Sequence, residues 1–152
     1  MNCNISTGIA DALQYHNDHL VPALAIAVAV DGKFPQKVLN EIRNALTHLS
    51  RAEVLRKSAG AKEEEALKEI GSACRHLQRT TLDCLKIAVI AYAGKSETAM
   101  RALLEDIELP ASVHAKSNEL LDRRKSLSVL EGQEPTDKAV SQYADLLIVT
   151  EN

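Results

Sequence analysis

Aromatic side chains are almost missing from this 152-residue chain: it has no Trp, one Phe and three Tyr. A core without them must be built from Leu, Ile, Val and Ala. That suits close helix-on-helix packing better than a sheet rich in aromatic and β-branched residues. Cysteine is scarce and odd in number: Cys3, Cys74 and Cys84, with no CxxC spacing. Cys74 and Cys84 lie ten apart on one expected helix, too far along its axis to bridge. Three reduced thiols fit a cytoplasmic protein. A chain of this length buries roughly 68–70% of its unfolded surface and needs neither a disulfide nor a metal staple.

Long apolar runs are missing as well. The longest, Val21 to Val30, contains Pro22 and four Ala. It is half of what a membrane span requires. No basic stretch followed by an apolar run and a small-residue cleavage site opens the chain, so no membrane partner is expected. An excess of positive charge is also lacking. Net charge is −3 and the isoelectric point is near 6.0, which removes any global attraction for nucleic acid and leaves room only for a local basic site. What is present is 45% hydrophobic and 26% charged residues, the range of one globular domain.

In order, residues 1–6 are polar and Ser6 or Thr7 is a candidate N-cap. A first helix is expected from about Ile9 to Val30, kinked or split at Pro22. His16 and His19 are three apart, but no third metal ligand lies nearby and structural sites need four. Asp31-Gly32-Lys33 is a turn signal, and Pro35 suits a first helical position. The second helix then runs to about Ser58, with Val38, Ile42, Ala45, Leu49 and Ala52 as one apolar stripe, and Gly60 ends it. A third helix begins near Ala61, with Glu63, Glu64 and Glu65 favoured by its dipole. Its stripe is Leu67, Ile70, Cys74, Leu77, Thr81, Cys84, Ala88 and Ala91, reaching about Ala93. Gly94-Lys95-Ser96 reads as a break, followed by a fourth helix to about Ile107 that Leu109-Pro110 stops. A fifth helix spans about Ser112 to Leu130, and its Asp122-Arg123-Arg124-Lys125 run could touch phosphate, although such a run is more often a solvated face. After a loop at Gln133-Glu134-Pro135, Thr136 caps a last helix to about Val149. No strand is convincing. The expected fold is a single all-α domain, an up-and-down bundle of five to six helices.

The stretch Glu41 to Arg51, EIRNALTHLSR, carries the densest chemistry. Glu41, Asn44, His48 and Arg51 step three, four and three, so they share one face of the second helix. Arg43 sits at the edge of that face, about 140° around the axis from His48. A long Arg side chain could swing toward a groove bordered by His48. The third helix repeats the device with Ser72, His76, Arg79, Asp83 and Lys86. The strings HLSRA and RHLQRT echo each other, with His48 to His76 and Arg51 to Arg79 both separated by 28 residues. Two antiparallel helices would each present a His three residues before an Arg. Either both stripes are solvated and form surface ion pairs worth about 0–1 kcal/mol, or they face one another or a partner and enclose a polar pocket. In such a pocket a neutral His can take a proton from a ribose 2′-OH, and Arg forks can hold the phosphate. That chemistry requires no metal, and no cofactor is indicated.

The run Glu41-Ile42-Arg43-Asn44-Ala45-Leu46-Thr47-His48 resembles the signature of the HEPN superfamily, an Arg followed by a polar residue and then a His a few residues on, carried by a helix. The resemblance implies a compact all-α bundle, commonly a homodimer with two copies of the motif across the interface. It implies a metal-independent endoribonuclease, often a toxin or defence effector, or an inactive RNA-binding or regulatory relative. Arg43 and His48 would be the catalytic pair, with Asn44 orienting the His or the phosphate, and a protein partner or antitoxin could accompany it. Glu41, Arg51, His76, Arg79 and Asp83 are substrate-binding candidates from spacing alone. Two other readings stay open: a non-catalytic helical module whose stripes form a dimer or partner interface, and a small-molecule sensor with an apolar pocket between helices.

Overall fold

The computed structural model describes residues 5–58, 62–104, 115, 118–119, 122–123, 125–127 and 136–151. Among the described residues all regular structure is helical. Helix α1 is Ile5–Tyr15, a π-helical turn covers His16–Leu20, and α2 is Val21–Asp31. Helix α3 is Gln36–Lys57, α4 is Glu63–Leu104, and α5 is Thr136–Glu151. The chain is an all-α bundle, as its aliphatic composition suggests, and α4 is its spine: each of the other elements packs against it.

The first helix begins earlier than its polar start suggests, so Ser6 and Thr7 lie inside α1 and do not cap it. The interruption at Pro22 takes the form of a widened turn. Proline has no N–H to donate and its ring crowds the carbonyl four residues back. The chain accommodates this with a π turn, in which the Val21 N–H donates to the His16 carbonyl. The turn signal at Asp31-Gly32 ends α2. Gly32 has φ 75° and its N–H donates to the Val28 carbonyl at 2.9 Å, a left-handed cap that costs glycine little. Pro35 stands one residue ahead of α3, as its extended N-cap, where a first helical residue was expected.

The expected break at Gly94-Lys95-Ser96 does not occur: α4 runs through it to Leu104. One interior glycine costs a helix about 1 kcal/mol. The Ala, Arg and Leu residues that follow are strong helix formers, and the Thr98 hydroxyl donates back to the Gly94 carbonyl at 2.9 Å. Glu63, Glu64 and Glu65 do occupy the first turn of α4. Residues 118–119, 122–123 and 125–127 are helical. Arg123 pairs with Glu119 and Lys125 with Asp122 on an exposed face. Gly60, Leu109-Pro110, the ends of the expected fifth helix and the loop at Gln133-Glu134-Pro135 lie outside the described residues.

The apolar stripes fall where their spacing puts them. Val38, Ala45, Leu49 and Ala52 of α3 are buried, with Ile42 packed against them. Ile70, Leu77, Thr81, Cys84 and Ala88 of α4 are buried. Leu20, Ala23 and Ala27 from the first helical arm and Ala139, Tyr143 and Leu146 of α5 complete the main core. Gly8 lets α1 approach α4 closely, because a Cβ there would stand 3.2 Å from Ile70 Cγ2. No helix of the described residues is long and apolar enough to cross a membrane.

Cys74 and Cys84 form no disulfide among the described residues. Burial, with the nearby Asp83 charge adding to it, pushes the Cys84 thiol up to about 11, so it is not a thiolate near neutrality. Its modification by an aromatic disulfide reagent at pH 8 is expected to proceed only as fast as the bundle opens. A rate on folded protein equal to that of the unfolded chain would contradict this burial.

Candidate functional site

Three acid–base pairs run along the contact between α3 and α4, in opposite chain directions. Lys37 Nζ meets Asp83 Oδ2 at 2.9 Å, Glu41 accepts from His76 at 2.6 Å, and His48 donates to Glu69 at 2.6 Å. The two polar stripes therefore face one another, and the helices are antiparallel. A row of small or short residues makes this approach possible. Val38, Ala45 and Ala52 on α3 and Ala66, Ala73 and Thr80 on α4 recur every seven residues, each at most 1% exposed. A heptad repeat keeps one face of a helix toward its partner. The Glu–His ladder lies beside this row, where side chains of that length can span the gap.

The centre of the site is a pair of imidazoles. The rings of His48 and His76 stack with centroids 5.2 Å apart and planes 21° apart. In both, Nδ1 faces a Glu Oε2. An ionised carboxylate only accepts, so it holds a proton on Nδ1, and in the neutral ring the lone pair then lies on Nε2. Neither Nε2 has a hydrogen-bond partner among the described residues. The side chains are partly covered, His48 at 24% and His76 at 27% exposed, which fixes the rings without sealing them.

The geometry exposes a repeat. Glu41 to Arg51 and Glu69 to Arg79 align at an offset of 28 as EIRNALTHLSR and EIGSACRHLQR, identical at Glu, Ile, Ala, His, Leu and Arg, six of eleven positions. Shifting residue numbers by 28 turns the Glu41–His76 pair into Glu69–His48. The two pairs are thus related by a local two-fold, the relation seen at an isologous interface, but inside one chain. Glu69 is the residue that spacing arguments missed. The seven-residue step from each Glu to its His, present in both strings, was the signal that could have found it.

The other candidates divide between this site and elsewhere. Arg51 and Arg79 are exposed, each three residues beyond its His and hence its neighbour on the helix surface. Neither forms an ion pair among the described residues. Asn44 is half-buried on the same side of α3. Asp83 lies one heptad beyond His76 and is engaged by Lys37, with Lys86 at 4.0 Å. The hydrogen bond and charge of Asp83 raise the Lys37 ammonium above its ordinary range. Arg43 is not brought to His48. It is exposed, and helical geometry puts it on the side of α3 that carries the exposed Leu39, Leu46 and Val54. Among the described residues its guanidinium meets no acid, and its backbone carbonyl accepts from the Thr47 hydroxyl at 2.8 Å.

His16 and His19 belong to the π turn. His16 Nδ1 is 3.1 Å from Asn17 Oδ1, and His19 packs on the Tyr15 ring. Among the described residues no group of three or more His, Cys, Asp and Glu is arranged to hold a metal ion. Away from the site, Arg56 and Lys57 hold the Glu53 carboxyl down to about 2. The contribution of that exposed cluster is present above the ordinary carboxylate range and is lost as pH falls toward 2.

Comparison of the chain with protein-family models, with curated proteins and with solved structures returns no match. What the described residues form is an all-α bundle with two carboxylate-held histidines at the α3–α4 seam.

Proposed function

We propose that this protein is a metal-independent endoribonuclease whose general base is His48. The observation that carries the reading is the Glu69–His48 pair. A neutral histidine whose Nδ1–H is held by a carboxylate carries its lone pair on Nε2, the arrangement a general base needs. In the reaction Nε2 takes the proton of a ribose 2′-OH and the 2′-oxygen attacks the adjacent phosphorus. The chain leaves with a 5′-OH, and a 2′,3′-cyclic phosphate remains. Arg51 and Arg79 flank the histidines and supply the guanidinium donors that a phosphodiester requires. The resemblance of Glu41–His48 to the HEPN signature supports the same chemistry, with the difference that Arg43 points elsewhere and Arg51 and Arg79 take the phosphate role. Both halves of the site come from one chain, so the reading does not require a second copy.

A mixed labelled RNA pool, incubated with the protein and EDTA, is expected to give fragments with cyclic phosphate ends. The Arg51→Ala and Arg79→Ala double variant is expected to raise KM about tenfold or more, because ground-state phosphate contacts are lost. Absence of wild-type cleavage on every substrate would contradict the reading.

One observation favours a second reading, a non-catalytic helical module that docks on a partner or on a second copy. Leu39, Leu46 and Val54 are about half or more exposed along one side of α3 with Arg43 among them. Arg is enriched at interfaces, and an exposed aliphatic row offers apolar area for a partner to cover.

A further inference from the structure

We infer that His76, held by Glu41, is a second catalytic residue of the same site and acts as the general acid. The inference rests on the ribonuclease reading of His48 and adds to it the other half of the proton transfer.

The local two-fold makes the two Glu–His pairs equivalent. Whatever the Glu69 carboxylate does for His48, the Glu41 carboxylate does for His76: the same 2.6 Å contact, the same ring nitrogen and nearly the same exposure. The two pairs set their rings in a stack with centroids 5.2 Å apart, a spacing on the scale of one phosphodiester. Stacking imidazoles that can each carry a proton is a costly way to fill a seam, because two adjacent imidazolium charges repel. It is useful when one ring is neutral while the other is protonated, and the charges exchange during a turnover.

Cleavage of a phosphodiester by its own 2′-OH has this demand. One group removes a proton from O2′ and another delivers a proton to O5′. The O2′–P bond forms as the P–O5′ bond breaks, with attacking and leaving oxygens roughly in line. His48 Nε2 accepts the first proton, and protonated His76 Nε2 gives up the second. No net proton is gained or lost, and solvent exchange resets the pair. Glu41 and Glu69 touch neither reacting atom and are positioning residues. Each fixes the proton on Nδ1 and stabilises the imidazolium while it exists.

The test separates an acid from a structural residue by its leaving group. Wild type, His48→Gln and His76→Gln are assayed in EDTA on a short RNA oligonucleotide and on uridine 3′-(4-nitrophenyl phosphate), whose nitrophenolate departs without a proton. His76→Gln is expected to lose about 10²-fold or more on RNA, the contribution of a positioned general acid, and to stay within about threefold on the nitrophenyl ester, where no acid is needed. His48→Gln is expected to lose activity on both. In the RNA pH–rate profile His76→Gln is expected to lose the alkaline limb, where the acid would otherwise deprotonate. Equal losses on the two substrates with the alkaline limb retained, or no loss on either, would overturn the role of His76 while leaving that of His48 standing. No cleavage by wild type would end both. If circular dichroism shows His76→Gln unfolded, Glu41→Gln carries the comparison, with an expected selective loss on RNA of about tenfold. Equal loss on both substrates there would be equally adverse.

Discussion

His48→Ala is expected to lower the rate of RNA cleavage by about 10²–10⁴-fold, the range for loss of a positioned general base, while leaving the bundle folded. The two parts of that statement have separate grounds. The chemical part follows from the Nδ1 contact with Glu69, which in the neutral ring puts the lone pair on Nε2. The folding part follows from burial: the side chain is 24% exposed, and the seam beneath is carried by Ala45, Ala52, Ala66 and Ala73. Truncation strands Glu69, but that carboxylate keeps 27% of its surface and can be hydrated. Single-turnover cleavage in EDTA, with circular dichroism on the same samples, reads both parts. A folded variant cleaving at the wild-type rate would remove His48 from the chemistry.

Ala45→Leu is expected to cost about 3 kcal/mol of stability, the upper end for inserting methylenes into a close-packed site. Ala45 is fully buried, in the row that lets α3 and α4 approach. Leucine is nearly as good a helix former as alanine, so propensity cannot account for the loss. The helices would separate and carry the Glu–His pairs apart with them. For a chain of this length the loss corresponds to a fall in Tm of about 6–12 °C. Ser50→Leu, at an exposed position of the same helix, is expected to change stability by no more than about 0.5 kcal/mol. Calorimetry on the two variants makes the comparison. A seam that tolerated leucine at position 45 would mean that the helices are not held at small-residue distance.

These expectations rest on features that differ in how far the sequence alone reveals them. The α3 stripe is legible because Val38, Ala45, Leu49 and Ala52 sit at helical spacing and all of them are buried. The facing of the polar stripes is half legible. His48 and His76 stand out, but spacing within a helix does not say which residue of the other helix it meets. Lys37 illustrates this, since its partner Asp83 lies 46 positions away. Glu69 was hidden for another reason. Steps of three and four from His76 lead to Ser72 and Arg79, whereas the partner of His48 is reached by the seven-residue step that only a comparison of the two repeats reveals. The continuity of α4 was misread because Gly94-Lys95-Ser96 is a good local stop signal, and local signals yield to a helix that is strong on both sides. Arg43 shows the converse. Its nearness to His48 in the sequence resembles a known motif, yet a five-residue step on a helix separates the two by about 140°.

The most direct test of the central claim is the protonation pattern of the two histidines. Long-range ¹⁵N–¹H correlation spectra of the intact protein at pH 8, assigned with His48→Gln and His76→Gln, distinguish a protonated from a bare ring nitrogen. Both residues are expected to carry the proton on Nδ1 and to present a bare Nε2. Free imidazole side chains in water favour the other tautomer, so this pattern would have to be imposed by Glu69 and Glu41. Protons found on Nε2 in both residues would contradict the Glu–His pairing, and the proton-transfer chemistry argued from it would fall with it.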